Sequence, residues 1–114
     1  FVPWGIERMM EISRAVTGWN VSVLEMFQAA ERAVTLTRVF NTRMGFTEKD
    51  DYLHEKFFKP FSSGPLEGLQ YSREQFEQGK KLYYGMMGWN DQGIPSNATL
   101  VGLGIGWANE YVPR

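Results

Sequence analysis

The sequence predicts an all-α fold of four to five helices packed around one long central helix, at about residues 23–44. Three observations carry that expectation. Apolar residues recur at three- and four-residue spacings in several segments. The helix-opening pattern Ser-x-x-Glu/Gln occurs twice, at Ser22/Glu25 and Ser72/Gln75. No stretch alternates apolar with polar residues for more than a few positions, as a half-buried strand would.

Taken in order, Gly5 to Val16 sets Ile6, Met9, Met10 and Val16 among Glu7, Arg8, Glu11 and Arg14, the pattern of an amphipathic helix. Gly18 suits the left-handed position that ends it. Ser22 then opens the strongest helix, from Val23 to about Met44, with Gly45 as its stop. Its polar stripe is Glu25, Gln28, Arg32, Thr35, Arg38 and Thr42, and most of the remainder is apolar. An apolar face that wide implies packing on more than one side. Thr47 to Phe58 reads as one or two short helical turns with Thr47 and Asp50 as a cap, and Pro60 to Gly68 as a loop. The helix capped by Ser72 extends to about Met87. Gly88 to Pro95 is turn-rich, Ser96 caps a short helix over Asn97–Leu103, and the tail Gly106–Arg114 is expected to pack poorly on its own.

The chain has 114 residues, enough for one domain with a modest core. Twelve Lys and Arg against thirteen Asp and Glu argue against nucleic acid or an anionic membrane as a partner recruited by bulk charge. No apolar run approaches the ~20 residues of a membrane span. The absence of cysteine excludes a disulfide framework and any thiolate-held metal or iron–sulfur cluster in this chain. Aromatic residues make up 15% of the chain, more than a small helical core easily hides, so some are expected either at a rim or against a partner. The chain starts at Phe1, and reads as a single helical domain over residues 1–114 processed or cut from a longer, multidomain protein.

Candidate chemical groups are few. His54 is the single histidine, and its neighbours Asp50, Asp51 and Glu55 lack ligand spacing, so a surface or capping role is expected. Asp50 and Asp51 suit a helix N-terminus better than a calcium loop. Arg38, Asn41 and Arg43 end the long helix just ahead of these carboxylates, which suggests a bidentate Arg–Asp clamp on the turn, with direct ligand contact as the alternative. Gly102, Gly104 and Gly106 follow a helix rather than a strand and do not make a phosphate loop. Asn97-Ala98-Thr99 matches the glycosylation triplet, but nothing in the sequence indicates secretion. With no cysteine and no serine placed near His54, no nucleophilic triad can be assembled.

Three stretches in register carry more. They are Ala15-Val16-Thr17-Gly18-Trp19-Asn20; Arg38-Val39-Phe40-Asn41-Thr42-Arg43-Met44-Gly45-Phe46 with Asp50-Asp51-Tyr52-Leu53; and Tyr83-Tyr84 with Gly88-Trp89-Asn90-Asp91-Gln92-Gly93-Ile94-Pro95. In that order the chain resembles the C-terminal part of the aldehyde ferredoxin oxidoreductase family, from about Glu7 to Gly104. The family pattern differs at His54, commonly proline, at Lys56, commonly arginine, and at Asn90, commonly aspartate.

The resemblance implies the C-terminal helical portion of a cytoplasmic enzyme that oxidises aldehydes to carboxylic acids. In such an enzyme electrons pass through a [4Fe–4S] cluster to ferredoxin. A tungsten- or molybdenum-bis-pterin and the cluster are expected in the full-length enzyme, held by upstream segments, with no cofactor, metal or catalytic residue in this chain. The chain would wall the cofactor and substrate cavity, would be inactive alone, and would have the remaining domains as partners. The motif residues Arg38, Asn41, Arg43, Asp50 and Asp51 are expected to form a structural clamp, and Tyr83, Tyr84 and Trp89 to pack between domains. The alternative is a stand-alone helical interaction module without cofactor.

Overall fold

The computed structural model describes residues 5–113. Among them are four α-helices, α1 (Ile6–Thr17), α2 (Val23–Arg43), α3 (Arg73–Met86) and α4 (Asn97–Gly102), and two short 3-10 helices, Glu55–Phe58 and Gly106–Tyr111. The all-α expectation and the long helix hold, with ends within a residue or two of those read from the sequence. Both capping boxes close as their spacing requires. Ser22 Oγ accepts from the Glu25 amide while the Glu25 carboxylate accepts from the Ser22 amide, and Ser72 and Gln75 do the same at α3. Those hydrogen bonds hold the Glu25 carboxyl below its usual range.

The core lies at one end. Val39 of α2, Leu100 of α4, Ile105 and Ala108 of the second 3-10 helix form it, with Leu36, Leu103 and Val112 packed around. Arg32 Nε donates to the Leu103 carbonyl at 2.7 Å, which fixes α4 against α2. The tail is therefore better packed than its composition suggests. Residues 106–111 coil into a 3-10 helix that buries Ala108, and the Arg43 guanidinium sits 4.7 Å from the Tyr111 ring centroid.

Elsewhere the chain is open. The only buried residues of α2 are Thr35, Arg38, Val39 and Thr42, all in its C-terminal half, while Leu24 and Phe27 of its N-terminal half are exposed. The wide apolar face of α2 is thus only partly used within the chain. Helix α1 buries Met10 and is tied back through Arg14 Nε donating to the Val21 carbonyl. Segment 47–58 forms one turn closed by Asp50 and then the first 3-10 helix, in keeping with the one or two short helical turns and the Thr47/Asp50 cap read from the sequence. His54 caps that helix, its Nδ1 accepting from the Lys56 amide at 3.2 Å.

The radius of gyration is 18.3 Å, whereas a compact chain of this length has about 13 Å. The extents of 51 × 43 × 20 Å describe a plate. No helix among the described residues is long and apolar enough to cross a membrane.

Because the core is confined to one end, single side chains there carry much of the stability. Leu100 has no exposed surface, so Leu100→Ala is expected to destabilise the chain by about 3 kcal/mol. The shift of the urea midpoint, followed by helical circular dichroism, measures this.

Candidate functional site: a buried arginine beneath a groove

Helix α2 brings Arg38 one turn before its end, on the face that α3 approaches. The guanidinium is buried, and each of its nitrogens has a partner on a different piece of chain. Nη1 pairs with the Asp51 carboxylate at 2.7 Å. Nε donates to the Gly93 carbonyl at 2.7 Å, and Nη2 to the Tyr84 hydroxyl at 3.4 Å. The Tyr84 hydroxyl in turn donates to the same Asp51 carboxylate. The Tyr84 and Trp89 rings flank the cation, with centroids 5.5 and 5.3 Å from its central carbon. A guanidinium cannot neutralise itself by losing a proton, so burying it requires this full set of partners.

The elements around Arg38 are shaped to meet it. Asp51 is presented by the turn after Thr47, which Asp50 closes by accepting from the Thr47 amide at 2.7 Å. Lys80 of α3 supports the same turn, donating to the carbonyls of Glu48 and Asp51 at 3.1 and 3.4 Å while pairing with Glu77. Gly93 belongs to a tight loop in which the Asn90 Oδ1 accepts from the Gln92 and Ile94 amides. An amide oxygen serves this turn as well as a carboxylate does, which accounts for asparagine at this position. Gly93 has φ +71°, and a Cβ there would lie 2.1 Å from Arg38 Nη2 and 2.9 Å from the Tyr84 ring. Only glycine allows both the backbone and the close approach.

Of the five polar motif residues, Arg38 and Asp51 meet directly, though through one guanidinium nitrogen rather than two. Asp50 serves its own turn, Asn41 lines the groove above, and Arg43 turns toward Tyr111. Tyr84 and Trp89 are buried inside the chain around Arg38, whereas Tyr83 is half exposed. Gly93 and Lys80 were not anticipated. The glycine lies within the Gly-Trp-Asn motif stretch, but the lysine has no signal beyond its place on the α3 face.

Above the arginine a groove of about 820 Å3 runs between α2 and α3. Val34, Tyr71, Phe76 and Tyr83 form its apolar walls. Nothing here is arranged for nucleophilic or acid–base chemistry, because each charged group is paired for support. Among the described residues no three His, Cys, Asp or Glu side chains cluster as a metal site.

Two measurements probe the arginine network. A double-mutant cycle of Arg38→Met and Asp51→Asn is expected to give a coupling of about 1–3 kcal/mol in denaturant unfolding; additive effects would show that the pair does not act as a clamp. The Tyr84 hydroxyl is pushed up to about 12, mainly by burial and then by the Asp51 hydrogen bond and charge, with Arg38 opposing. The folded state thus keeps this proton after the unfolded state has lost it. Stability is expected to be fully present below about pH 10 and to fall as pH rises from 10 toward 12. In Tyr84→Phe that part of the alkaline slope disappears.

A chain with this fold and polar network has relatives. The family model described as "Aldehyde ferredoxin oxidoreductase, domains 2 & 3" matches residues 2–105. The WOR-like subunit of an aliphatic sulfonate oxidoreductase from Pyrococcus furiosus is 31% identical over 116 aligned positions, covering 96% of this chain and 19% of that protein. In the active site complex BamBC of benzoyl coenzyme A reductase, solved with 1,5-dienoyl-CoA, a chain superposes with a TM-score of 0.73 at 28% identity. The match covers 95% of this chain and 15% of that one. This chain thus spans less than a fifth of the length of either relative. With nearly all of it matched in sequence and the helices superposing on a relative's, the chain belongs to the aldehyde ferredoxin oxidoreductase family, in the region of its domains 2 and 3.

Proposed function

We propose that the chain is the C-terminal helical portion of an aldehyde:ferredoxin oxidoreductase-like enzyme, walling the cofactor and substrate cavity and inactive by itself. The observation that carries this reading is the surface left uncovered. The chain exposes 8919 Å2, whereas a compact monomer of this mass exposes about 6,400 Å2. The excess of roughly 2,500 Å2 exceeds one partner's share of a standard protein–protein interface, about 800 Å2. Much of it is apolar, including Met9, Val16, Leu24, Phe27, Phe61 and Leu66. A surface of this kind suits a piece of a larger assembly, with the remaining domains of a longer enzyme as its partners.

The residues of this chain do not fit as ligands of the family's metals. It has no cysteine for a [4Fe–4S] cluster, and the described residues form no metal-ligating group. In this reading the tungsten- or molybdenum-bis-pterin and the cluster are held upstream and supply the oxygen-atom and electron chemistry. The reaction is oxidation of an aldehyde to a carboxylic acid, with electrons leaving to ferredoxin. The chain contributes shape and exclusion of water. The network of Arg38, Asp51, Tyr84 and Gly93 makes it a stiff wall rather than a loose cluster of helices, Asp50 and Arg43 brace the segments on either side, and Asn41 lines the groove. Of Tyr83, Tyr84 and Trp89, Tyr83 alone is exposed, on α3, where it can meet another domain.

Metal analysis tests the proposal. The longer protein encoded by the parent gene is expected to carry tungsten or molybdenum and about four irons, and this chain neither. Neither metal in the longer form, or no longer form at all, would replace the reading with a stand-alone helical interaction module.

A further inference from the structure

We infer that the groove between α2 and α3 is the seat of an apolar segment of the longer polypeptide. The inference rests on the proposed function, because its occupant belongs to the same long protein.

Three observations select that occupant. The first is charge. Arg38 is paired with Asp51, Lys80 with Glu77 and two carbonyls, and Asp50 with the Thr47 amide and hydroxyl. Both cations lining the groove are thus paired, and Asp50 is held by the neutral donors of its own turn, so the groove does not recruit an anionic ligand, while Val34, Tyr71 and Tyr83 expose apolar surface on its walls. The second is continuity. Leu24, Phe27 and Val34 lie at helical spacing along α2, interrupted by Glu31, so exposed apolar side chains stand both in the groove and toward the N-terminal end of the same helix. A segment lying along it would meet a helix face rather than an isolated hole. The third is area. The roughly 2,500 Å2 of excess surface is about three times what one partner contributes to a standard dimer. A second copy seated in the groove would leave most of it bare, whereas relatives carry more than four-fifths of their length outside the matched region.

The chain lacks cysteine, so Val34→Cys and Tyr83→Cys each introduce a single reporter on the groove wall. Each variant is labelled with N-ethylmaleimide in this chain alone and in the longer protein, with modification at the two positions quantified by peptide mass spectrometry. Both positions are expected to label rapidly in the chain alone and about a hundredfold more slowly in the longer protein, where labelling must await local opening. Equal rates in the two forms would overturn the inference. So would slow labelling of the chain alone accompanied by a dimer in sedimentation, since the occupant would then be a second copy. Protection of the chain by phosphatidylcholine vesicles, or the absence of any longer gene product, would overturn it too. Protection in a longer protein that lacks tungsten and molybdenum leaves the inference standing and removes the enzymatic reading alone.

Discussion

Arg38 carries a charge that it cannot shed, and its burial sets the terms for much of this chain. A buried guanidinium left with an empty nitrogen would cost several kcal/mol. The structure instead converges three segments on it: the Asp51 turn, the Tyr84 face of α3 and the Gly93 loop. None of these is adjacent to Arg38 in sequence. Hydrogen bonds to Gly93 and Tyr84 span 55 and 46 residues respectively. A polar cluster thus does the long-range joining that an apolar core does in most domains, and the aromatic flanks of Tyr84 and Trp89 keep water from competing for it.

That arrangement explains how an open plate can hold a defined shape. The hydrophobic core gathers α2, α4 and the last 3-10 helix at one end, leaving α3 to be held largely by Arg38, Lys80 and the aromatic contacts around them. Directional bonds fix an angle between helices without filling the space between them. A groove can therefore persist where an apolar contact would have collapsed it.

The family motifs gain a physical meaning here. Arg38 and Asp51 come from one motif stretch and Tyr84, Trp89 and Gly93 from another, yet they form one contact set. Arg43 and Asp50 act at its margins: one stacks on Tyr111 beneath the tail, and the other shapes the turn that presents Asp51. Of the departures from the family pattern, Asn90 sits where a turn needs only a side-chain oxygen to accept hydrogen bonds, which aspartate would also supply, and His54 caps the first 3-10 helix through Nδ1.

By itself the sequence determined the elements that local physics controls. Ser22 with Glu25 and Ser72 with Gln75 place two helix starts, Gly18 and Gly45 place two stops, and the three/four spacing declares the long helix, because caps and periodicity act within a few residues. The Arg–Asp pairing was legible from charge and from the nearness of the two motifs along the chain. Tertiary structure alone decided that Tyr84 and Trp89 turn inward while Tyr83 stays exposed, that Lys80 braces the Asp51 turn, and that residues 106–111 pack on α2. Each of these depends on where one helix lies against another. Hydropathy is the same for a ring buried in its own chain and a ring awaiting a partner, so only the fold could separate them.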